Sequence, residues 1–462
     1  MAPDALHDLT RFQWEPCPQG QRIVDDLIDE FLSHSPEGRD LAGAMKDRAG
    51  TRFLDWLDHL VTPREHLVAD LEAAGFTPGG EHDGRRIFEH HGAIFPRILV
   101  KAGAARAAAV KVDSVADFLA THTLPVDIEG PPHGILRRAR AWARPEAELW
   151  VVERHGHRGF EVPPVDPAAA VAAQEHRDAF RRRPRDFPND DEAFEAIHGL
   201  LDASIATLGR DWTADLWFAA EREFWMRRNR AARVQKARQD ALGLGWANHD
   251  HHTYRCRRAT FERVIAVFEK LGCTCRERFY AGAAAGWGAQ VLEQPATGIV
   301  IFADVDMDSS EVTGDFAHLG FPDREELGTV GLWCELHGES ILEAGMHHLE
   351  CQFDFDSLRD QMQAEAGISM MKPFTDFDFL RQQFTEGERW AIRPERIERL
   401  LRRGQITAGE AEQFRTGGAI GSHLENLERN DGFKGFNQTG INEIILATDP
   451  RRQPGPTRVK SA

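Results

Sequence analysis

A strand–helix–strands pattern runs through the first third of this chain, gives way to a helical stretch, and then returns. Nothing else in the 462 residues restricts the fold as tightly. In the first occurrence, residues 53–61 read as a strand and 63–75 as a helix that ends at its glycine. Residues 85–100 supply two short strands, 107–113 another strand, 114–122 a helix and 148–154 a closing strand. The pattern resumes with a strand over 248–257, a helix over 259–272, and strands at 290–293 and 298–303. A strand at 345–353 and a helix from Asp356 follow, and the chain returns to strand at 440–447. This makes four βαβββ-like modules in two pairs, a weak internal repeat of pattern rather than identity.

The segments around the pairs differ in character. Residues 1–50 read as a peripheral helical segment, 51–163 as the first pair, and 164–245 as a helical bridge with one long helix over 211–242. The bridge is rich in Ala, Arg, Glu and Trp and poor in β-branched runs. Residues 246–450 form the second pair, interrupted by a helical insert over 376–415, and 451–462 read as a disordered tail.

The charge balance narrows the partners. With 56 Lys+Arg against 74 Asp+Glu the formal charge is −18, so phosphate backbones and anionic membrane surfaces are repelled. Neither nucleic acid nor membrane is expected, and an oligomer is left open. No stretch is apolar for the ~18 residues that a membrane span needs. The first twelve residues show no basic region followed by an apolar run, so no signal peptide is expected. Six scattered cysteines suit reduced thiols in the cytoplasm, and Cys273-Thr-Cys275 has no second pair to make a zinc site.

Chemistry concentrates at His249-Asp-His251-His-Thr-Tyr-Arg255. With the period of two of a strand, His249, His251, Thr253 and Arg255 share one face. Imidazole binds metal and a guanidinium fork binds carboxylate, so this face suits a metal site that takes an anionic substrate.

Paired modules of this kind resemble the vicinal oxygen chelate superfamily. The resemblance implies an α+β fold of the glyoxalase/bleomycin-resistance type, in which paired βαβββ modules curl into a half-open barrel around one metal, here with helical insertions. It also implies ligands on the first strand of each module and on the last strand. His251, His348 and Glu443 stand at those places, His348 being separated from His251 by 97 residues and from Glu443 by 95. Around His348, residues Leu349, Cys351 and Phe353 alternate with His348, Glu350 and Gln352, which places the latter three toward the barrel interior. Two histidines and one carboxylate form the facial triad of non-haem Fe(II) oxygenases.

A finer resemblance covers residues 240–450. His251-His-Thr-Tyr-Arg255 matches the His-x-x-x-Arg signature of the 2-oxoadipate dioxygenase/decarboxylase family. Met346-His-His348-Leu-Glu350 is similar to that family's second ligand strand, which has Asn where His347 stands. Gly421-Ser-His-Leu-Glu-Asn-Leu427-Glu428-Arg429 resembles its Gly-Ser and Leu-Glu-Gln segments, with Arg429 in place of Gln. Asn442-Glu443 resembles its closing strand. The resemblance implies Fe(II) bound by His251, His348 and Glu443, with Glu428 a rival carboxylate. Arg255 would hold a substrate carboxylate as the catalytic clamp, and Gln438 would add a substrate hydrogen bond. The implied reaction turns a 2-oxo acid and O₂ into a hydroxy acid and CO₂.

His59 and Glu153 stand in the first pair where His251 and Glu443 stand in the second, but its middle strand has no histidine, so residues 51–163 read as a metal-free copy. His90-His91 reads as a turn-flanking pair. The alternatives are a 4-hydroxyphenylpyruvate-type or ring-cleaving dioxygenase, a metal-independent ligand-binding protein, or a lyase or isomerase that uses a divalent metal without O₂.

Overall fold

The computed structural model describes residues 14–164, 166–322, 324–437 and 448–452. Its strands fall into the expected modules. The first comprises β1 (Leu57–Thr62), the helix Val68–Ala73, β2 (Thr77–His82), β3 (Arg85–Glu89) and β4 (Arg97–Val100). The second comprises β5 (Arg106–Lys111), the helix Val115–Thr121, β6 (Leu136–Ala143) and β7 (Ala147–Arg154), one strand short of the others. The third comprises β8 (His249–Arg255), the helix Phe261–Lys270, β9 (Thr274–Tyr280), β10 (Trp287–Gln294) and β11 (Ile299–Asp306). The fourth comprises β12 (His348–Gln352), the helix Phe355–Ala366, β13 (Thr375–Phe377), β14 (Leu380–Phe384), the short β15 (Glu388–Trp390) and β16 (Ala419–Arg429).

In every module the first strand pairs in parallel with the last: β1 with β4, β5 with β7, β8 with β11, and β12 with β16. The two modules of a pair join antiparallel through their first strands, β1 to β5 and β8 to β12. Two sheets result, ordered β2-β3-β4-β1-β5-β7-β6 and β13-β14-β16-β12-β8-β11-β10-β9. This is the paired-module, curled half-barrel topology of the vicinal oxygen chelate fold, with helical insertions.

One face of each sheet is buried by helices. Leu60, Ala108 and Val110 of the first sheet pack with Val24, Phe31 and Met45 of the helices Pro18–His34 and Pro36–Ala49. Tyr254, Leu349, Cys351 and Leu424 of the second pack with Trp217, Phe218, Phe268 and Leu358. The other face of the second sheet carries the polar side chains of β8, β12 and β16 beside a smaller apolar cluster that includes Phe279, Trp287 and Phe302.

Two sequence expectations need correction. The helix placed at 211–242 is two, Arg210–Arg227 and Arg230–Asp240. Asn229 leaves helical geometry, caps the second by accepting from the Ala232 N–H at 2.9 Å, and donates to Ser422 Oγ at 2.8 Å. The insert placed at 376–415 begins with strands, and its helices are Pro394–Arg402 and Ala408–Gly417. Leu380–Phe384 lacks clean alternation because Gln382 and Gln383 are both buried, Gln382 donating to Glu425, rather than facing water. The last described strand of the fourth module is β16, at 419–429. The strand expected at 440–447 and the tail from 453 lie outside the described residues.

At the end of β7, His155 clamps the first sheet to the helix Arg210–Arg227. Its Nδ1 lies 2.7 Å from Asp215 and its Nε2 3.1 Å from Glu153. Burial lowers its pKa, but the two carboxylates win and raise it to about 10. Because the folded pKa lies above the ordinary ~6.5, this stabilisation is complete below that pH and is lost as pH rises through about 10. His155→Gln is therefore expected to cost roughly 2 kcal/mol in denaturant unfolding at pH 6, with the gap to the parent protein closing between pH 6.5 and 10. A pH-independent gap would contradict the charged clamp.

Candidate metal centre

The antiparallel register of β8 on β12 sets His251 opposite Glu350 and Thr253 opposite His348. The parallel register of β12 on β16 then sets Glu350 beside Glu425 and His348 beside His423. Side chains of like parity point to one face, so His251, His348, Glu350 and Glu425 converge there, with His423 on the same face. His251 Nε2 and His348 Nε2 each lie 2.6 Å from Glu350 Oε1, and His348 Nε2 lies 3.6 Å from Glu425 Oε2. Single ligand atoms of His251, Glu350 and Glu425 all lie within 4.8 Å of one another.

Each group is held. His251 Nδ1 hydrogen-bonds Asp250 Oδ1 at 2.9 Å, which leaves Nε2 to face the cluster. Asp250 is fixed in turn by Arg429, at 3.2 and 3.1 Å, and by Gln352 Nε2 at 3.0 Å. Thr253 Oγ1 donates to Glu350 at 3.1 Å and Gln382 Nε2 to Glu425 at 2.8 Å.

The donor set fits a divalent ion. Burial lowers the His251 pKa to about 4 and pushes His348 well down, so both imidazoles are neutral and able to bind metal. Burial raises both Glu350 and Glu425, and the neighbouring Glu425 raises Glu350 further, a cost that a shared cation removes. Glu350 Oε2 and His348 Nδ1 are buried with no hydrogen-bond partner.

An interchange of the two modules maps His251 onto His348 and Thr253 onto Glu350, because β8 and β12 pair symmetrically about this point. The same operation maps Phe302, opposite Thr253 on β11, onto Glu425, opposite Glu350 on β16. The β11 side of the centre thus carries a ring and no ligand, which leaves room for a substrate.

Arg255 lies on the same strand face, 3% exposed, with its Nε and Nη1 unpartnered. It makes no ion pair among the described residues. Asp304, its register partner on β11, is raised by burial to about 7, with Arg255 acting in opposition. A cavity of about 70 Å³ joins Arg255 to His251, His348, Glu350 and Glu425, walled by Phe279, Trp287, Phe302, Phe384 and Phe436.

The structure thus brings together the sequence-expected His251, His348 and Arg255. Glu443 and Gln438 lie outside the described residues. The rival Glu428 points to the opposite face of β16, where it caps the helix Phe355–Ala366 by accepting from the Phe355 N–H at 2.8 Å. Sequence reading passed over Glu425, whose signal is its parity: two residues from His423 and from Leu427, it shares their face, while Glu428 does not. Gly421 is fixed by packing, since a Cβ there would collide with the Trp390 ring.

Asp250→Asn is expected to weaken metal binding roughly 10- to 100-fold without unfolding the protein, measured by competition with a chromophoric chelator. Unchanged affinity would remove Asp250 from the centre's support.

No family model matches this chain, and no curated protein does. Among similar solved structures is a glyoxalase superfamily protein from Ralstonia eutropha JMP134, 13% identical, with a TM-score of 0.33 over 59% of this chain and 99% of that one. Another is a triple mutant of 4-hydroxymandelate synthase from Streptomyces coelicolor, 12% identical, with a TM-score of 0.27 over 87% of this chain and 100% of that one. A third is methylmalonyl-CoA epimerase from Mycobacterium tuberculosis, 14% identical, with a TM-score of 0.23 over 40% of this chain and 88% of that one. Likenesses this distant assign no activity here.

Proposed function

We propose that this chain is an Fe(II)-dependent dioxygenase that oxidatively decarboxylates a small 2-oxo acid, with 2-oxoadipate the first substrate to try. One observation carries the reading: a buried, unpaired guanidinium, Arg255, shares a small cavity with two neutral histidines and two carboxylates. His251, His348 and Glu425 are the proposed ligands, as a two-histidine, one-carboxylate set. Glu350 is the adjacent carboxylate, positioned to ligate as well or to take a proton. Bound there, Fe(II) would chelate the 2-oxo acid and activate O₂.

The chain's own residues bind and orient. Arg255 pairs with a substrate carboxylate in a forked contact and relieves its own uncompensated burial. The phenylalanine wall excludes water. The reaction balances with no other reductant: the bond between the carboxylate and the keto carbon breaks, CO₂ leaves, and the two O₂ atoms enter the new carboxylate and the new hydroxyl of the shortened acid. The six cysteines are free, in keeping with a cytoplasmic enzyme. No helix among the described residues is long and apolar enough to cross a membrane.

The ring-lined cavity favours a second reading, an aromatic 2-oxo acid of the 4-hydroxyphenylpyruvate type. Anaerobic purification, Fe(II) loading, and measurement of O₂ uptake and CO₂ release over a panel containing 2-oxoadipate, 2-oxoglutarate and 4-hydroxyphenylpyruvate separates the two. Uptake matched one-to-one by CO₂ supports the class and ranks the substrates. No uptake with any 2-oxo acid despite bound iron would overturn it.

A further inference from the structure

A second cavity, of about 950 Å³, lies between the two sheets and the helix Arg210–Arg227. Most charges lining it are already matched. Asp58 is bridged by Arg154 and Arg97, Asp250 by Arg429, Glu153 by Arg137 and His155, and Glu293 by Arg276 and Lys434. The exposed Arg177, Asp113 and Asp117 are in no ion pair among the described residues, and neither are two less exposed cations, Arg222 and Lys111. Arg222 is 7% exposed, its Nη1 is buried without a partner, and none of its nitrogens lies within ion-pair distance of a carboxylate among the described residues. Lys111, on the last turn of β5 into the cavity, makes no hydrogen bond or ion pair among them either.

Both cations face the same cavity, and His249 lines it with them. The carboxylate that Arg222 feels is Asp113, which accepts from the Trp246 N–H at 2.7 Å. The carboxylates that Lys111 feels, Asp58, Asp250 and Asp55, are each already paired with arginine. A buried charge without a counter-charge is costly, and two of them of one sign in one polar cavity are costlier still. In a chain of net charge −18 they are not general surface positivity.

We propose that this cavity binds a small dianion, bearing carboxylate or phosphate groups, between Arg222 and Lys111. The site is separate from the Arg255 cavity and does not depend on the reaction proposed above. It lies against the back of the metal centre, since Asp250 and Arg429, which hold His251, also line it.

Calorimetric titration of the metal-free, full-length protein with inorganic phosphate and, separately, with glutarate tests the proposal. At least one is expected to bind saturably and, at about 100 times its Kd, to raise Tm by about 3 °C. The preferred probe tells phosphate from dicarboxylate chemistry. Lys111→Gln and Arg222→Gln are each expected to weaken binding tenfold or more, while Arg255→Gln leaves it unchanged. Arg222→Gln is also expected to raise Tm in anion-free buffer, since it removes an uncompensated charge, and to lose the anion-induced rise. Lys111→Gln, which is less buried, reads the site if Arg222→Gln does not fold. No saturable binding of either probe, or binding lost in Arg255→Gln and kept in Lys111→Gln, would overturn the proposal.

Discussion

A protein carrying His348→Ala is expected to retain no stoichiometric Fe(II) after gel filtration and to show no O₂ uptake above background. His348 is one of two neutral imidazoles at the cluster, and it reaches both Glu350 and Glu425. Its loss should exceed the roughly 10- to 100-fold that removal of an outer partner costs. The fold should survive, because β12 is held by backbone pairing to β8 and β16 and by Leu349 and Cys351 in the core. Fe(II) is expected to raise the Tm of the parent protein and not that of the variant. Equal metal retention in both would remove His348 from the centre.

Arg255→Ala separates substrate binding from metal binding. Metal affinity should be unchanged, while kcat/KM falls by a factor on the order of 10² to 10³, the usual result of removing one member of a buried charge pair. Arg255→Lys should recover little, because a point charge does not reproduce a planar fork. The variant is also expected to be no less stable than the parent without substrate, since the guanidinium is unpaired there. Loss of metal along with activity would mean that Arg255 supports the centre rather than the substrate.

Much of the fold is legible from periodicity and glycine. The strand face of His251, Thr253 and Arg255, the helix from Ala259 to Gly272 and the alternation about His348 all read directly, because one face of each element packs on a helix and the other does not. Glu425 is not legible in that way. Its strand, β16, is buried along nearly its whole length, so Glu425, Asn426 and His423 hide among apolar residues without simple alternation. The helices Pro394–Arg402 and Ala408–Gly417 separate β16 from its hairpin partner β14, so sequence spacing points past it to a later apolar run. The distinction between Glu425 and Glu428 rests on register, and register comes from pairing with β12 rather than from local sequence.

The two halves of the chain make each other's control. In the first sheet His59 is bonded to Asp58 at 2.7 Å, Asp58 is gripped by Arg154 at 2.7 and 2.9 Å, and Phe160 meets His59 edge-on at 5.0 Å. In the second sheet His251, Asp250, Arg429 and Phe436 repeat this arrangement, Phe436 meeting His251 edge-on at 4.9 Å. Matching the β1–β5 register to β8–β12 places Ala107 where His348 stands, and the β5–β7 register then places Trp150 where Glu425 stands. The first sheet thus carries the same brace, with Ala107 and Trp150 at the places of the second histidine and the carboxylate. A designer wishing to graft a new centre into this protein has a finished socket waiting at His59, two substitutions short of a full set.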